Sequence, residues 1–575
     1  MTEPGTSVVY EKRRWLVLSL YIAGMCVLIW RAVDLQVISK EFLQEHGDAR
    51  ALRVVQIPAH RGMITDRNGE PLAVSTSVNS IWATPRRVLA SEADLSPLAK
   101  YLDISVEDLK NLLIDRIGRD FVYLKRRVDP SMSEKVMALN IPGISLEPEF
   151  RRYYPAGEVT AHMIGFTNID DTGQEGLELA YNDWLKGTPG TKRVLKDRLG
   201  RTIENVESIS IPDPGKNLEL SIDRRIQYLA YRELKAAVQA HNARGGSLVM
   251  LDTKTGEVVA MVGQPSYNPN NRSGMKGEYY RNRAVTDVFE PGSTLKPFTI
   301  AAALESGVYT PSTEIDTRPG HFKVGNHTIR DIRNYGVIDV ATIIKKSSNV
   351  GISKIALSLE PNKLRQILSN AGFGSSTGSG FPGEASGFLS VINNWSEVGL
   401  ATIAFGYGLS VTVLQLAQAY QIFATDGQEL PVSFIKVNGP VSGMQVITPG
   451  IAKQIRTMLE SAVEKEGTGQ LAVVRGYKVG GKTGTVHKAI SGGYSEDRYL
   501  SLFAGFAPVE DPRLVMVVMI DEPKGLQYFG GQVAAPVFSK VMAGALRLMD
   551  IPPDNLPGLQ ESMIAGKTEP AGIPE

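Results

Sequence analysis

The sequence predicts an α+β protein carried on a single N-terminal transmembrane helix, and three observations lead there. Residues 15–30 (WLVLSLYIAGMCVLIW) form an uncharged run preceded by Lys12, Arg13 and Arg14 and closed by Arg31. Two strand–turn–strand pairs bracket a long segment that contains helical patterns: residues 246–252 with 257–262, and residues 499–506 with 514–521. Strands at both ends with helices between them imply an antiparallel sheet flanked by helices. Finally, 56 Gly and 32 Pro in 575 residues favour a loop-rich or β-rich body over a helical rod.

Composition removes several function classes. With 62 Lys+Arg against 61 Asp+Glu and 43% hydrophobic residues, the chain is neither a disordered polyelectrolyte nor a bulk nucleic-acid binder. The one cysteine, Cys26, lies inside the apolar run, so no intrachain disulfide and no thiolate zinc site can form. None of the seven histidines stands in an HxH or HxxxH spacing, and no metal or other cofactor is expected.

From the N-terminus, residues 1–14 read as a cytoplasmic tail and 15–38 as the anchor. A span needs about 20 residues. Arg31 can snorkel while Ala32, Val33, Leu35, Val37 and Ile38 extend the apolar face. The run ends without a small-x-small cleavage site, which favours an uncleaved anchor over a signal peptide. The basic tail then belongs inside, placing the bulk of the chain outside the inner leaflet, in the periplasm of a bacterium. Residues 39–214 are Arg-rich, with short strands, turns and one helical stretch over 106–117. Residues 211–216 (IPDPGK) read as a linker, 223–240 as an amphipathic helix opening a domain over 215–552, and 553–575 as a Pro-rich flexible tail.

Three short motifs carry the chemistry. In residues 289–304 (FEPGSTLKPFTIAAAL), Pro and Gly precede an apolar helix, so Ser293 and Lys296 share one face of its first turn. That spacing brings Ser293 Oγ and Lys296 Nζ towards hydrogen-bonding distance, a nucleophile with its base at a helix N-terminus. Ser347, Ser348 and Asn349 follow a probable helix over 340–346; Ser347 could relay a proton and Asn349 could hold a substrate amide. Lys482, Thr483, Gly484 and Thr485 lie in a glycine-punctuated strand where a ligand or another backbone comes close. Each motif has a decoy: Ser273 with Lys276 in an Asn-rich loop, Ser77 with Asn79, Ser266 with Asn268, and Lys254 to Gly256 in a hairpin turn. Taken alone a Ser-x-Asn match reads as a turn or cap; chain order and element type separate the set from its decoys.

The ordered trio Ser-x-x-Lys, Ser-x-Asn, Lys-Thr-Gly resembles the active site of penicillin-binding proteins and serine β-lactamases. Arg61 to Gly69 (RGMITDRNG), Arg152 to Gly157 (RYYPAG) with His162 and Gly165, and Gly173 to Glu178 (GQEGLE) are similar to pedestal segments of class B penicillin-binding proteins. Ser348 and Asn349 look like the FtsI-type division group, also called the penicillin-binding protein 3 group.

The resemblance implies an elongated β-rich pedestal (dimerisation-type domain) over 39–214 and a transpeptidase domain over 215–552. It implies a peptidoglycan D,D-transpeptidase of septal cell-wall synthesis. Ser293 would be the acyl-enzyme nucleophile, Lys296 its base and Ser347 a proton shuttle. Asn349, Lys482, Thr483, Gly484 and Thr485 would bind substrate, with backbone N–H groups of Ser293 and Thr485 as the oxyanion hole. Implied partners are stem peptides, β-lactams as covalent inhibitors, a membrane-embedded SEDS-family glycan polymerase of FtsW type and other division proteins. Two rivals are weaker. A hydrolase needs a deacylating Glu, and Glu397 lacks the expected Asn context; a non-catalytic sensor would tolerate loss of Ser293 or Lys296, yet both are present.

Overall fold

The computed structural model describes residues 7–42, 52–196, 202–274, 276–391, 395–439, 441–490 and 492–555. By contact the chain divides into two units, and the division is not linear. One unit holds the described residues up to His60 with Ser77–Phe150 and Gly187–Gly215; the other holds Arg61–Thr76, Arg151–Lys186 and the described residues from Lys216 onward.

In the first unit, helix α1 (Ser7–Val33) continues into a π-type turn over Asp34–Ile38. Its 27 residues rise about 40 Å at 1.5 Å each, and the span Lys12–Ile38 is long and apolar enough to cross a membrane. The helix begins upstream of the expected residue 15, because nothing in residues 7–14 breaks it. Arg31 pairs with Asp34 at 2.7 Å, so the charge that closes the apolar run is neutralised one turn later. The same unit contains a three-stranded antiparallel sheet of Leu52–Ile57, Gly190–Lys196 and Thr202–Ser210. A separate small core gathers Val88, Leu98, Leu102, Leu109, Leu113 and Val136. The helix expected over 106–117 runs Val106–Asp115, capped by Ser105 Oγ accepting from Asp108 N at 3.0 Å. The tail expected over 553–575 lies largely outside the described residues.

The second unit is built on a five-stranded antiparallel sheet. Its strands are β1 (Gly245–Asp252), β2 (Val258–Gln264), β3 (Gly480–Ile490), β4 (Gly493–Ala507) and β5 (Leu514–Asp521), in the order β2-β1-β5-β4-β3. Both hairpins read from the sequence are thus present, joined through the β1–β5 pair, in which Val249 faces Val517. The strand period divides their side chains between two cores. Leu248, Met250, Met516 and Val518 enter one; Val249, Leu251, Val515 and Val517 enter the other.

The first of these cores is closed by α2 (Arg224–Ala240), whose Ile226, Ala230, Tyr231 and Leu234 form one buried face. The second holds α3 (Lys296–Glu305), α4 (Val340–Lys346), α5 (Asn349–Ser358) and α6 (Val413–Ala424). Helix α7 (Ala535–Leu548) packs beside α2. All twelve residues of α6 are buried, and the helix opens with a capping box of Thr412 and Gln415. At about 1.5–3 kcal/mol per fully buried large apolar side chain, this two-faced burial is the main stabiliser of the unit.

The segment 39–214 is split because parts of it bond directly to residues of the larger unit, with Arg224 N donating to Asp66 Oδ2, Tyr154 N to Asn270 Oδ1 and Tyr267 OH to Ala161 O. A buried ion triad fixes those parts to one another. Glu178, wholly buried, accepts from Arg61 Nε at 2.8 Å and from Arg152 Nε at 2.7 Å. Arg61 also donates to Asp171 O, Asn182 Oδ1 and Glu178 O. The three segments matched to pedestal motifs in the sequence therefore meet at one carboxylate. Glu178→Ala would leave two guanidinium groups buried without a counter-charge and is expected to destabilise this unit by about 3–5 kcal/mol. Denaturant unfolding measures it; an unchanged midpoint would show that the triad contributes nothing.

Candidate active site

Ser293 lies in a 3₁₀ turn, Gly292–Leu295, that leads directly into α3. Gly292 has φ +55, and a Cβ there would stand 2.4 Å from Val486 Cγ2, so glycine lets β3 approach the turn. Gly292 N donates to Gly406 O at 3.1 Å. Thr294 Oγ1 donates to Pro291 O, and Tyr420 OH, from the fully buried α6, donates to Thr294 O, each at 2.7 Å. The turn is therefore held from below by α6 and from the side by β3, while Ser293 stays half-buried.

Lys296 is completely buried, and its Nζ points at the 347–349 turn. It donates to Ser347 O at 2.5 Å, Ser347 Oγ at 3.0 Å and Asn349 Oδ1 at 2.7 Å. Those three bonds use every ammonium hydrogen. Among the described residues none goes to Ser293 Oγ, towards which the spacing had brought Lys296, because the 347–349 turn presents three acceptors to the Nζ.

Ser347 ends α4 in the left-handed region, φ +62. Its Oγ accepts from Lys296 and also from Lys482 Nζ, at 2.9 Å. Asn349 uses its side chain on both sides, Oδ1 accepting from Lys296 and Nδ2 donating to Arg330 O at 3.2 Å, which leaves one Nδ2 hydrogen for a ligand. The turn also rests on Asp331, which the sequence reading did not single out. Its Oδ2 accepts from Ser348 Oγ at 2.6 Å, and its Oδ1 from Asn349 N at 2.5 Å and Val350 N at 3.0 Å.

Strand β3 brings the third motif. Lys482 is fully buried, Thr483 Oγ1 donates to Thr468 Oγ1 at 2.9 Å, and Thr485 Oγ1 accepts from Gly530 N at 3.0 Å. A Cβ on Gly484 would sit 3.1 Å from both Leu502 Cβ and Thr294 Cγ2, so glycine allows β3 to lie against both β4 and the nucleophile turn. Thr468 and Gly530 were also missed; Thr468 sits in a Gly-rich loop and Gly530 opens the short helix Gly530–Val533, and the partner of each is set only by the fold.

Electrostatics follow burial. Loss of water pushes Lys296 well below the usual lysine range, the Lys482 charge pushes it further, and Asp331 pulls it partly back. Burial alone brings Lys482 down to about 7. Two lysines whose hold on their protons is weakened by burial thus share one hydroxyl, an arrangement able to accept, hold and return a proton. The decoys sit elsewhere. Ser273 is exposed and bonds Asn271 Oδ1 at 2.8 Å, Lys254 pairs with Asp511 at 2.7 Å, and Glu397 is exposed in the first turn of Glu397–Ile403.

Comparison with known proteins identifies the family. A model of the penicillin binding protein transpeptidase domain matches residues 246–543, and a model of the penicillin-binding protein dimerisation domain matches residues 56–220. The peptidoglycan D,D-transpeptidase FtsI of Escherichia coli K12 is 44% identical over 540 residues, 93% of this chain and 91% of that protein. The probable peptidoglycan D,D-transpeptidase PbpC of Pseudomonas aeruginosa is 43% identical over 541 residues, 94% and 96% of the two chains. A solved structure of penicillin binding protein 3 from Mycobacterium tuberculosis, complexed with aztreonam, superposes with a TM-score of 0.68 at 27% identity, covering 88% of this chain and 98% of that one. With two family models in tandem and such identity along nearly its whole length, the chain belongs to the class B, FtsI-type penicillin-binding protein transpeptidases.

Proposed function

We propose that this chain crosslinks peptidoglycan stem peptides during septal cell-wall synthesis through an acyl-enzyme on Ser293, and that β-lactams acylate the same serine. The observation that carries the reading is the convergence of Lys296 and Lys482 on Ser347 Oγ, both lysines buried and both shifted towards neutrality.

In acylation, Ser293 Oγ attacks the carbonyl carbon of the penultimate D-Ala. The Oγ–C bond forms, the C–N bond to the terminal D-Ala breaks, and the hydroxyl proton goes to neutral Lys296 Nζ. Ser347 Oγ, bonded to both lysines, passes a proton to the leaving amine. Protonated Lys482, with Thr483, Gly484 and Thr485, binds the terminal carboxylate, while Asn349 offers its free Nδ2 hydrogen to the donor peptide. Backbone N–H groups of Ser293 and Thr485 receive the developing oxyanion. In the second half an amine of a neighbouring stem attacks the ester carbon, the C–N crosslink forms, the C–Oγ ester bond breaks, and the proton lost by the amine returns to Ser293 Oγ by way of Lys296.

The divisions 1–14, 15–38, 39–214, 215–552 and 553–575 fit this role as tail, anchor, pedestal, transpeptidase domain and tail. Lys12, Arg13 and Arg14 orient the N-terminus to the cytoplasm and the bulk of the chain to the periplasm. The anchor and pedestal would then meet an FtsW-type polymerase and other division proteins.

Labelling with a fluorescent penicillin is expected to map to the peptide containing Ser293 and to vanish in Ser293→Ala, whereas Lys296→Ala slows acylation by about 10²–10⁴-fold. A label on Ser273 or any other serine would refute the assignment.

The pH dependence follows from the two lysines. Acylation needs Lys296 neutral, so the rate falls as pH drops through its depressed pKa. Carboxylate binding needs Lys482 charged, so the rate also falls as pH rises past about 7. A bell-shaped profile of the second-order acylation rate is expected; a rate rising steadily to pH 10 would contradict the role of Lys482.

With Glu397, the carboxylate weighed as a deacylating base, exposed at the start of Glu397–Ile403, the penicilloyl-Ser293 ester should persist far longer than a β-lactamase turnover and pass preferentially to amines. Intact-mass measurement follows the adduct, and rapid hydrolysis of penicillin without a trappable adduct would favour a hydrolase.

A further inference from the structure

The site depends on a turn whose geometry is unfavourable by itself. Ser347 holds a left-handed conformation that a non-glycine residue keeps only when its surroundings hold it there. It lies between the end of α4 and the start of α5, where neither helix supplies a full set of hydrogen bonds. Asp331 answers both needs. One carboxylate oxygen takes the Ser348 hydroxyl, and the other takes the first two backbone N–H groups of α5. Ser348 Oγ in turn accepts from Gly351 N at 2.9 Å, completing the N-cap. The adjoining carbonyl of Arg330 receives Asn349 Nδ2. Arg330, at the end of the strand His327–Arg330, and Asp331 after it thus grip the side chain and the backbone of Asn349, and Asn349 Oδ1 holds Lys296.

We propose that Asp331 is a positioning residue for the acylation step, fixing the 347–349 turn so that Ser347 Oγ stays between the two buried lysines. This rests on the reading of Ser293 and Lys296 given above. Asp331 acts also through its charge. Among the described residues, the charged groups acting on Lys296 are Lys482 from β3, which lowers its proton affinity, and Asp331 from this loop, which raises it. From α4 and α5 the facing groups are the uncharged Ser347 and Asn349. Asp331 therefore offsets part of the lysine–lysine repulsion while the turn it holds sets the geometry.

The test is the pH profile of penicillin acylation in the full chain in detergent micelles, with the labelled residue identified by mass spectrometry. Asp331→Asn is expected to lower the maximal rate about 10- to 100-fold, the scale of a misplaced catalytic group. It should also move the acid limb to lower pH, because Lys296 without the nearby anion stays neutral further into acid. Asp331→Glu, keeping the charge on a longer arm, should leave the limb near its wild-type position while the maximum stays reduced. Ser348→Ala should leave the limb in place and lower the maximum less than Asp331→Asn. A wild-type profile in Asp331→Asn, or a lowered maximum with an unmoved limb, would overturn the proposal while Ser293 labelling still upheld the acylation reading. Absence of label at wild-type Ser293 would instead overturn that reading and the proposal with it. Should Asp331→Asn fail to fold, a wild-type maximum in both Asp331→Glu and Ser348→Ala would also refute it.

Discussion

Two lysine side chains, both cut off from water, donate to the same serine hydroxyl, and most of the surrounding structure can be understood from that constraint. Each Nζ lies within 3.0 Å of Ser347 Oγ, so the two are at most about 6 Å apart. At an effective dielectric of about 20, two unit charges at that distance repel by ~3 kcal/mol, before desolvation is counted. Carrying two full charges is therefore disfavoured, and one lysine is kept ready to be a base. The arrangement persists only because rigid elements press it together: α6 under the nucleophile turn, β3 along its side and the α4–α5 junction across from it.

Glycine at a few positions is the steric condition for that closeness. Gly292 and Gly484 lie where β3 and the nucleophile turn meet, and a single methyl at Gly292 would collide with Val486. The sheet beneath is buried on both faces, so it cannot shift to relieve such a clash without opening one of its two cores. Packing energy far from the reacting atoms thus holds the unfavourable electrostatics in place.

The same unit treats its other buried charges differently. Around Glu178, two arginines and a carboxylate satisfy one another almost completely, an arrangement suited to holding three distant chain segments in a fixed relation. Around Ser347 there are also two cations and one nearby anion, Asp331, but a hydroxyl lies between the cations and both are lysines. Guanidinium groups keep their protons, so the first cluster serves structure, whereas buried lysines can give one up and leave a proton free to move.

Much of this was legible in one dimension. The apolar run, the two hairpins, the amphipathic 223–240 helix and the three motifs all depend on local pattern, which is why they could be placed from residue order alone and why the decoys at Ser273 and Lys254 could be set aside. Local pattern could not show that Lys296 turns towards Ser347 instead of Ser293, since that choice is made by acceptors 51 and 53 residues away. Nor could it single out Asp331, an unremarkable acid in a loop until α5 presents its N-terminus to it, or reveal that residues 61–76 and 151–186 join the larger unit and meet each other at Glu178. The sequence by itself determined which chemical groups are available and the elements that carry them. Which of those groups meet, and with what proton affinity, was decided only by tertiary structure, because hydrogen-bond competition and loss of solvent are properties of the assembled core.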